Sequence, residues 1–342
     1  CELGTYGLVI GLIYGLFKKQ DIFKVYISLV SAMLMGRIVK GIVQFSISGF
    51  NEKLFYGYLS SAFLEAIPGI LLQLILIPAI TITLDRTKLV PFKRKEHKMN
   101  KSKVYFTKEI SAESLVRIFD ALDTELKGKT CVKLSTGEAG GHNFLDPKLI
   151  APLVNKLSGT IVECCTAYAG KRIDPKDHWQ VIKDHGFTDI APCDIMDENG
   201  DFAIPVNNGF HLKENYIGEN FKDYDSMLVL SHFKGHAMGG FGGALKNVSI
   251  GIASTKGKTN IHTAGITHDY HVIWQNTAPQ DVFLECMADA FKSVIDYMGK
   301  ENVLYINVAN RLSVDCDCDS HPAEPEMGDL GIFASLDPVA VD

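Results

Sequence analysis

The sequence predicts an α/β domain with a mostly parallel sheet, preceded by an all-α transmembrane segment of about three helices. Three observations carry this. Residues 1–90 are strongly apolar, whereas residues 103–342 have an ordinary globular composition and hold most of the acids. In that second part, short apolar runs alternate with stretches of helical periodicity, the pattern of parallel strands joined by crossover helices. Glycine-rich turns follow several of those strands, where an open parallel sheet usually builds its ligand site.

In the first part, residues 5–17 are apolar but short. Residues 23–50 are long enough to cross a bilayer, although Arg37 and Lys40 interrupt them, and residues 66–84 carry no charge. A crossing needs about twenty predominantly apolar residues, so three spans are expected, the last after a break at Pro68-Gly69. Lys18, Lys19 and Lys24 lie between the first two spans, and Arg86, Lys88, Lys93, Arg94, Lys95 and Lys98 follow the third. The segment Asn51-Glu52-Lys53 is nearly neutral. The positive-inside rule then places the chain in the cell membrane, with the lipid bilayer as a partner and the α/β domain in the cytoplasm. Arg37, Lys40 and Glu65 fall at or near membrane depth, where an ionisable group is either functional or snorkels to the interface.

Residues 91–102 read as a basic linker. Met99 stands where an independent protein could start, so a natural fusion and two adjacent genes joined in one sequence both stay open. The chain opens at Cys1 and stops at Asp342 inside an apolar segment, so a fragment is expected, with the 103–342 domain truncated at its C-terminus.

The net charge of −6 argues against a general nucleic-acid binder, so no nucleic-acid partner is expected. Eight dispersed cysteines favour reduced thiols or metal ligands over a disulfide framework. No Walker A sequence and no Gly-x-Gly-x-x-Gly turn after a strand is present.

Within the second part, strands are expected at residues 103–106, 131–134, 160–165, 204–206, 225–230 and 303–308. Helices are expected at residues 111–122, 147–157, 177–185 and 280–298. Leu115, Ile118, Phe119 and Leu122 recur at helical spacing, as do Phe283, Met287, Phe291, Ile295 and Met298. Cys131 and Cys286 fall in such elements and read as packing residues.

Residues 231–247 organise the rest. Two histidines, two lysines and five glycines follow the apolar run Met227-Leu228-Val229-Leu230. His232, Lys234, His236 and Lys246 are the candidate catalytic residues, suited to handling a small anionic molecule. Gly242, Gly243 and Asn247, with His142 of an earlier glycine turn, are candidates to hold a cofactor, because glycines let the backbone approach a ligand. Cys316-x-Cys318-x-x-His321 sets two thiols and an imidazole close together, ligands suited to zinc, iron or an iron–sulfur cluster. Cys164, Cys165 or Cys193 could complete the set, with Cys164 the first candidate, and Asp315, Asp317 and Asp319 could support the site from outside or bind a harder ion. The cofactor is thus an iron–sulfur cluster or a single transition metal.

Two resemblances add to this. Gly4-Thr5-Tyr6-Gly7, Gly36-Arg37-Ile38-Val39 and Glu65-Ala66-Ile67-Pro68-Gly69-Ile70 resemble the C-terminal half of a substrate-binding S component of energy-coupling-factor vitamin transporters. That likeness implies a membrane subunit and ATPase subunits as partners. Ser231-His232-Phe233-Lys234-Gly235-His236, Gly242-Gly243-Ala244-Leu245-Lys246-Asn247 and Val314-Asp315-Cys316-Asp317-Cys318-Asp319-Ser320-His321-Pro322 closely resemble the uncharacterised iron–sulfur centre proteins, domain of unknown function 362. That likeness covers residues 100–342 and implies iron–sulfur binding. The leading expectation is a metal- or iron–sulfur-binding domain with a redox or other enzymatic role on a small anionic ligand. A vitamin-transporter component and a metal-stabilised, non-catalytic scaffold are the alternatives, so whether the protein is an enzyme stays open.

Overall fold

The structure is a computed structural model that describes residues 2–16, 22–87 and 102–342. It divides into two units, Cys1–Met99 and Asn100–Asp342. The expected basic linker, apart from Ser102, lies outside the described residues, as do Lys18 and Lys19 on which the membrane topology partly rests.

The first unit is helical. It comprises α1 (Glu2–Leu16), α2 (Ile22–Ser48), α3 (Glu52–Leu59), a π-helical turn (Ser60–Leu64) and α4 (Ile67–Thr87). Two stretches, Phe23–Ser48 and Glu52–Ile80, are long and apolar enough to cross a membrane. The expected N-terminal span corresponds to the 15-residue α1, shorter than a crossing needs. The irregularity expected at Pro68-Gly69 sits one turn earlier, at the π-helical turn. Wide turns of this kind release carbonyls from the helical ladder, and the Ala62 carbonyl there accepts from Arg37 Nε at 2.7 Å. Arg37 Nη1 donates to the Met33 carbonyl at 3.0 Å, and its guanidinium lies 5.8 Å from the Phe63 ring centre. Arg37 is therefore a buried tie between α2 and this turn, whereas Lys40 and Glu65 are exposed.

The second unit alternates strand and helix. Its elements begin β1 (Val104–Thr107), α5 (Ala112–Asp120), β2 (Thr130–Lys133), α6 (Pro147–Lys156), β3 (Thr160–Glu163), α7 (Pro175–Asp184), β4 (Cys193–Ile195), β5 (Asp201–Pro205), β6 (Glu214–Gly218) and β7 (Ser226–His232). There follow β8 (Lys234–His236), β9 (Gly240–Gly242), α8 (Ala244–Ser249), α9 (Thr255–His262), α10 (Gln280–Met298), β10 (Val303–Ala309), β11 (Gly331–Ser335) and α11 (Pro338–Val341). Helix starts are set by local chemistry. The Ser111 side chain accepts the Ser114 N–H at the start of α5, and Asp146 and Asp174 cap α6 and α7, each just before a proline in the first turn.

Seven strands form one sheet in the order β1-β11-β10-β7-β2-β3-β4. The pairs β10–β7, β7–β2, β2–β3 and β3–β4 are parallel, and β11 runs antiparallel to both β10 and β1. Every residue of β7 and β10 is buried, as expected for central strands covered on both faces. Leu228 and Leu230 turn toward a core shared with Leu115, Phe119, Ile150 and Phe187, and Met227 and Val229 turn toward one shared with Val248, Val294 and Tyr305. The expected strand at residues 204–206 is not in this sheet. It is the end of β5, which pairs with β6 in a separate hairpin laid against the second core. Strands β4 and β11 were not anticipated from periodicity: β4 has only three residues, and β11 follows a long irregular loop.

Candidate metal centre and cationic cavity

Because β2, β3, β7 and β10 are parallel neighbours, the residues after them emerge at one edge of the sheet. β7 runs into the β8–β9 hairpin, and the loop after β10 carries Cys316 and Cys318. Asp317, between the two cysteines, fastens that loop to the end of β7. Its Oδ1 accepts from His232 Nδ1 at 2.8 Å, its Oδ2 is ion-paired with Lys234 Nζ at 2.8 Å, and its carbonyl accepts the Glu138 N–H at 2.8 Å. Asp317 is buried, but Lys234 and His232 outweigh the cost of burial and hold its carboxyl down at about 2. The Gly235 N–H donates to the Ser313 carbonyl at 2.8 Å, closing the same junction.

This junction brings His236, Cys316 and Cys318 together, with one ligand atom from each lying within 4.8 Å of the others. His236 Nδ1 accepts the backbone N–H groups of Met238 and Gly239 at 3.2 and 2.9 Å, which leaves Nε2 for the thiols. The Cys318 thiol donates to the Cys316 sulfur. With Lys246, Lys234 and a bond from His236, it holds Cys316 well below the usual thiol range despite burial. The same bond, together with burial, pushes Cys318 well above that range. Lys246 Nζ lies 3.6 Å from Cys316 Sγ. Burial lowers the Lys246 ammonium, but the adjacent Cys316 outweighs it and the net shift is upward.

Two thiolates and one imidazole are the donor set of a single thiophilic ion with a coordination position to spare. A four-thiolate cluster is a poorer fit. Among the described residues, the Cys131, Cys164 and Cys193 sulfurs bond to the carbonyls of Ser226, Ile252 and Ala191, Cys165 faces His178, and Cys286 is packed in the α10 core.

Cys318 also lines a cavity of about 90 Å³, room for several water-sized groups. Of the remaining candidates, His232, Lys234, Gly242, Gly243, Lys246 and Asn247 line this cavity, and so does Cys164, whose thiol burial pushes well up. Both nitrogens of His232 are engaged, Nε2 bonding to the Asn310 carbonyl at 2.6 Å. Asn247 is a support: its Nδ2 donates to the Lys133 carbonyl and to Ser231 Oγ. A Cβ on Gly242 would come within 3.3 Å of Lys234 Cε, so its backbone packs directly on that side chain. His142 and His321 lie elsewhere. His142 is exposed beside Glu324, and His321 sits in an exposed turn bonded to Ser320 Oγ.

Sequence reasoning did not single out five charged or imidazole groups at this cavity: Lys133, Glu163, Arg172, Lys258 and His262. Glu163 accepts from Thr136, Arg172 and His178, and Lys133 lies 3.9 Å away. Against the cost of burial, Arg172, then His178 and Lys133, hold the Glu163 carboxyl well below its usual range. Burial brings Lys133 down to about 8. The available signal was a lone Lys in Cys131-Val132-Lys133-Leu134 and a lone Glu in Ile161-Val162-Glu163-Cys164, charges at positions that the pattern assigned to buried strands.

No curated protein sequence matches the chain. Among solved structures it is similar to the lactate racemase apoprotein from Thermoanaerobacterium thermosaccharolyticum, at 16% identity and a TM-score of 0.37, covering 59% of this chain and 50% of that one. It is also similar to a protein from Thermotoga maritima of known crystal structure, at 14% identity and a TM-score of 0.40, covering 67% and 55%. The chain thus spans about half the length of these two proteins. The sequence matches the domain of unknown function DUF362 over residues 130–342, which hold the whole sheet edge just described, and the chain belongs to that family.

Proposed function

We propose that the α/β domain binds one thiophilic transition-metal ion through Cys316, Cys318 and His236 and uses it on a small anionic molecule held in the adjoining cavity. The observation that carries this reading is the convergence of those three donors within 4.8 Å at the edge of a cavity walled by lysines. A metal in such a site supplies Lewis acidity or, if redox-active, an electron. The protein's own residues do the rest. Lys246 and Lys234 balance the thiolate charge, Asp317 fixes the loop that carries both sulfurs, and the lysine-lined wall attracts a negative ligand. We also read the two apolar stretches of the first unit as a membrane anchor, with the α/β domain on the cytoplasmic side.

The test is metal analysis of the full chain, purified anaerobically in detergent. About one equivalent of zinc, iron or nickel is expected. Cys316→Ser and Cys318→Ser should each lose it while the far-ultraviolet circular dichroism is kept. A folded protein that neither contains nor takes up these ions would sink the reading. Iron with matching acid-labile sulfide would replace the single ion with a cluster.

A further inference from the structure

The cavity beside the thiolates has two chemically different kinds of lining. Five of its lining residues are cations, and three of them are already answered. Arg172 is clamped by Glu138 and Glu163, and Lys234 by Asp317. Lys133 Nζ reaches the Leu134 carbonyl at 2.6 Å, Asn247 Oδ1 at 3.1 Å and Glu163 at 3.9 Å. Lys246 and Lys258 are different. Among the described residues the only acceptor for Lys246 Nζ is the Cys316 sulfur, and the only one for Lys258 Nζ is the Ala253 carbonyl. An ammonium group has three N–H donors. Each lysine therefore keeps unused N–H donors. The Lys246 charge is balanced by the Cys316 sulfur, whereas Lys258 has no carboxylate partner among the described residues and is only 6% exposed, so bulk water does not take up its donors.

The other part of the lining is apolar. The His262 ring centre lies 4.8 Å from that of Phe283 and 6.5 Å from that of Trp274, and Ile273 completes this wall. His262 Nδ1 bonds to the Lys258 carbonyl at 2.7 Å, so the aromatic wall is tied to the backbone of Lys258. Burial pushes His262 down to about 4, which leaves the ring uncharged at neutral pH and suited to apolar contact. Trp274 is 57% exposed and continues the wall outward to solvent. A site for a bare small anion, such as inorganic phosphate, has no use for such a wall.

We propose that the ligand of this cavity is an amphiphilic anion, a carboxylate or phosphate ester whose charged head is gripped by Lys246 and Lys258 and whose aromatic or branched apolar body lies against His262, Ile273, Phe283 and Trp274. The proposal refines the anion-site part of the functional reading above and rests on it, but it does not require the metal to be bound.

The test uses the full chain in detergent with 4-fluorophenylacetate as a probe, followed by fluorine magnetic resonance and displaced by unlabelled competitors. Phenylacetate should compete at least about tenfold better than acetate, and phenyl phosphate likewise better than inorganic phosphate, because one buried ring contributes that much. Neutral phenylacetamide should fail. The better of the two aryl anions identifies the head group. Lys258→Met and Lys246→Met should each weaken the probe about tenfold or more. Trp274→Ala, at an exposed position the fold tolerates, should reduce the advantage of phenylacetate over acetate. Equal competition by acetate and phenylacetate, or by phenylacetate and its amide, overturns the proposal. Each titration is run on zinc-loaded and on chelator-stripped protein. Zinc uptake without aryl preference removes this inference and leaves the metal reading standing; aryl preference without zinc uptake does the reverse.

Discussion

Lys246 Nζ lies 3.6 Å from Cys316 Sγ, and this contact places a cation directly against the sulfur held as a thiolate. A positive charge at that distance favours the charged form of a thiol. Removing it should therefore move the Cys316 titration upward. In metal-stripped protein, Lys246→Met should shift the pH midpoint of Cys316 alkylation by iodoacetamide, mapped by mass spectrometry, to higher pH. An unchanged midpoint would mean that Cys318, Lys234 and His236 hold the thiolate without Lys246.

Asp317 links the loop that carries Cys316 and Cys318 to β7, and its carboxyl is depressed from 3.8 to about 2. A depressed carboxyl contributes stability that is fully present above its unfolded value and is lost as pH falls through the folded one. The shift corresponds to about 2 kcal/mol. Asp317→Asn should lose at least that much at pH 7 in urea denaturation, because it also leaves Lys234 and His232 facing a neutral group. The gap between the variant and the original protein should narrow as pH falls from about 4 toward 2. A gap that stays constant with pH would show that the carboxylate charge is not what matters.

Much of this junction was legible in the sequence, and what was not has a physical reason. Cys316 and Cys318 announce themselves by spacing, and His236 by its place in a glycine-rich turn after an apolar strand. Proximity in sequence pointed to His321 as their companion, but the turn at Asp319 carries it into solvent, where Asp319 Oδ1 accepts its N–H. His236 arrives instead from the β8–β9 hairpin that follows β7, the strand beside β10, a juxtaposition that depends on strand order. Lys133 and Glu163 look like single charges in apolar runs, and only the pairing of β2 with β3 reveals that they face one another across a buried network. The antiparallel β11 is hidden for a similar reason, since its place between β1 and β10 is fixed by tertiary pairing and not by local pattern.

Glu163 is the centre of that network, taking Arg172 and His178 at 3.1 Å on one oxygen and the Thr136 N–H at 3.1 Å on the other. Glu163→Gln keeps the shape and removes the charge, leaving buried Arg172 and Lys133 without their shared counter-ion. Breaking a buried pair from one side typically costs about 3–5 kcal/mol. The loss should persist in 1 M salt, since buried charges are poorly screened. Denaturation of the two proteins at low and high salt measures both points. A small loss that vanishes in salt would mean that water reaches the network.

Gly235 tests whether the thiolate loop and the β8–β9 hairpin form one unit. A Cβ at Gly235 would lie 2.2 Å from the Val314 carbonyl oxygen and 2.5 Å from its carbon, backbone atoms that have no flexible end to swing aside. Val314 stands two residues before Cys316, so Gly235→Ala must push the hairpin and the loop apart at the point that aligns His236 with the sulfurs. Overpacking of this kind costs about 1–3 kcal/mol. The proposed metal site should suffer more than the fold, with zinc affinity reduced tenfold or more in competition with a chromophoric chelator. Gly240→Ala is the control on the same hairpin. It has φ of +77° but nothing within 4 Å of the added carbon, so it should cost about 1 kcal/mol of backbone strain and leave zinc affinity within a few-fold of the original. Equal losses of zinc in the two variants would show that the hairpin's general stability, not its contact with Val314, sets the donor geometry.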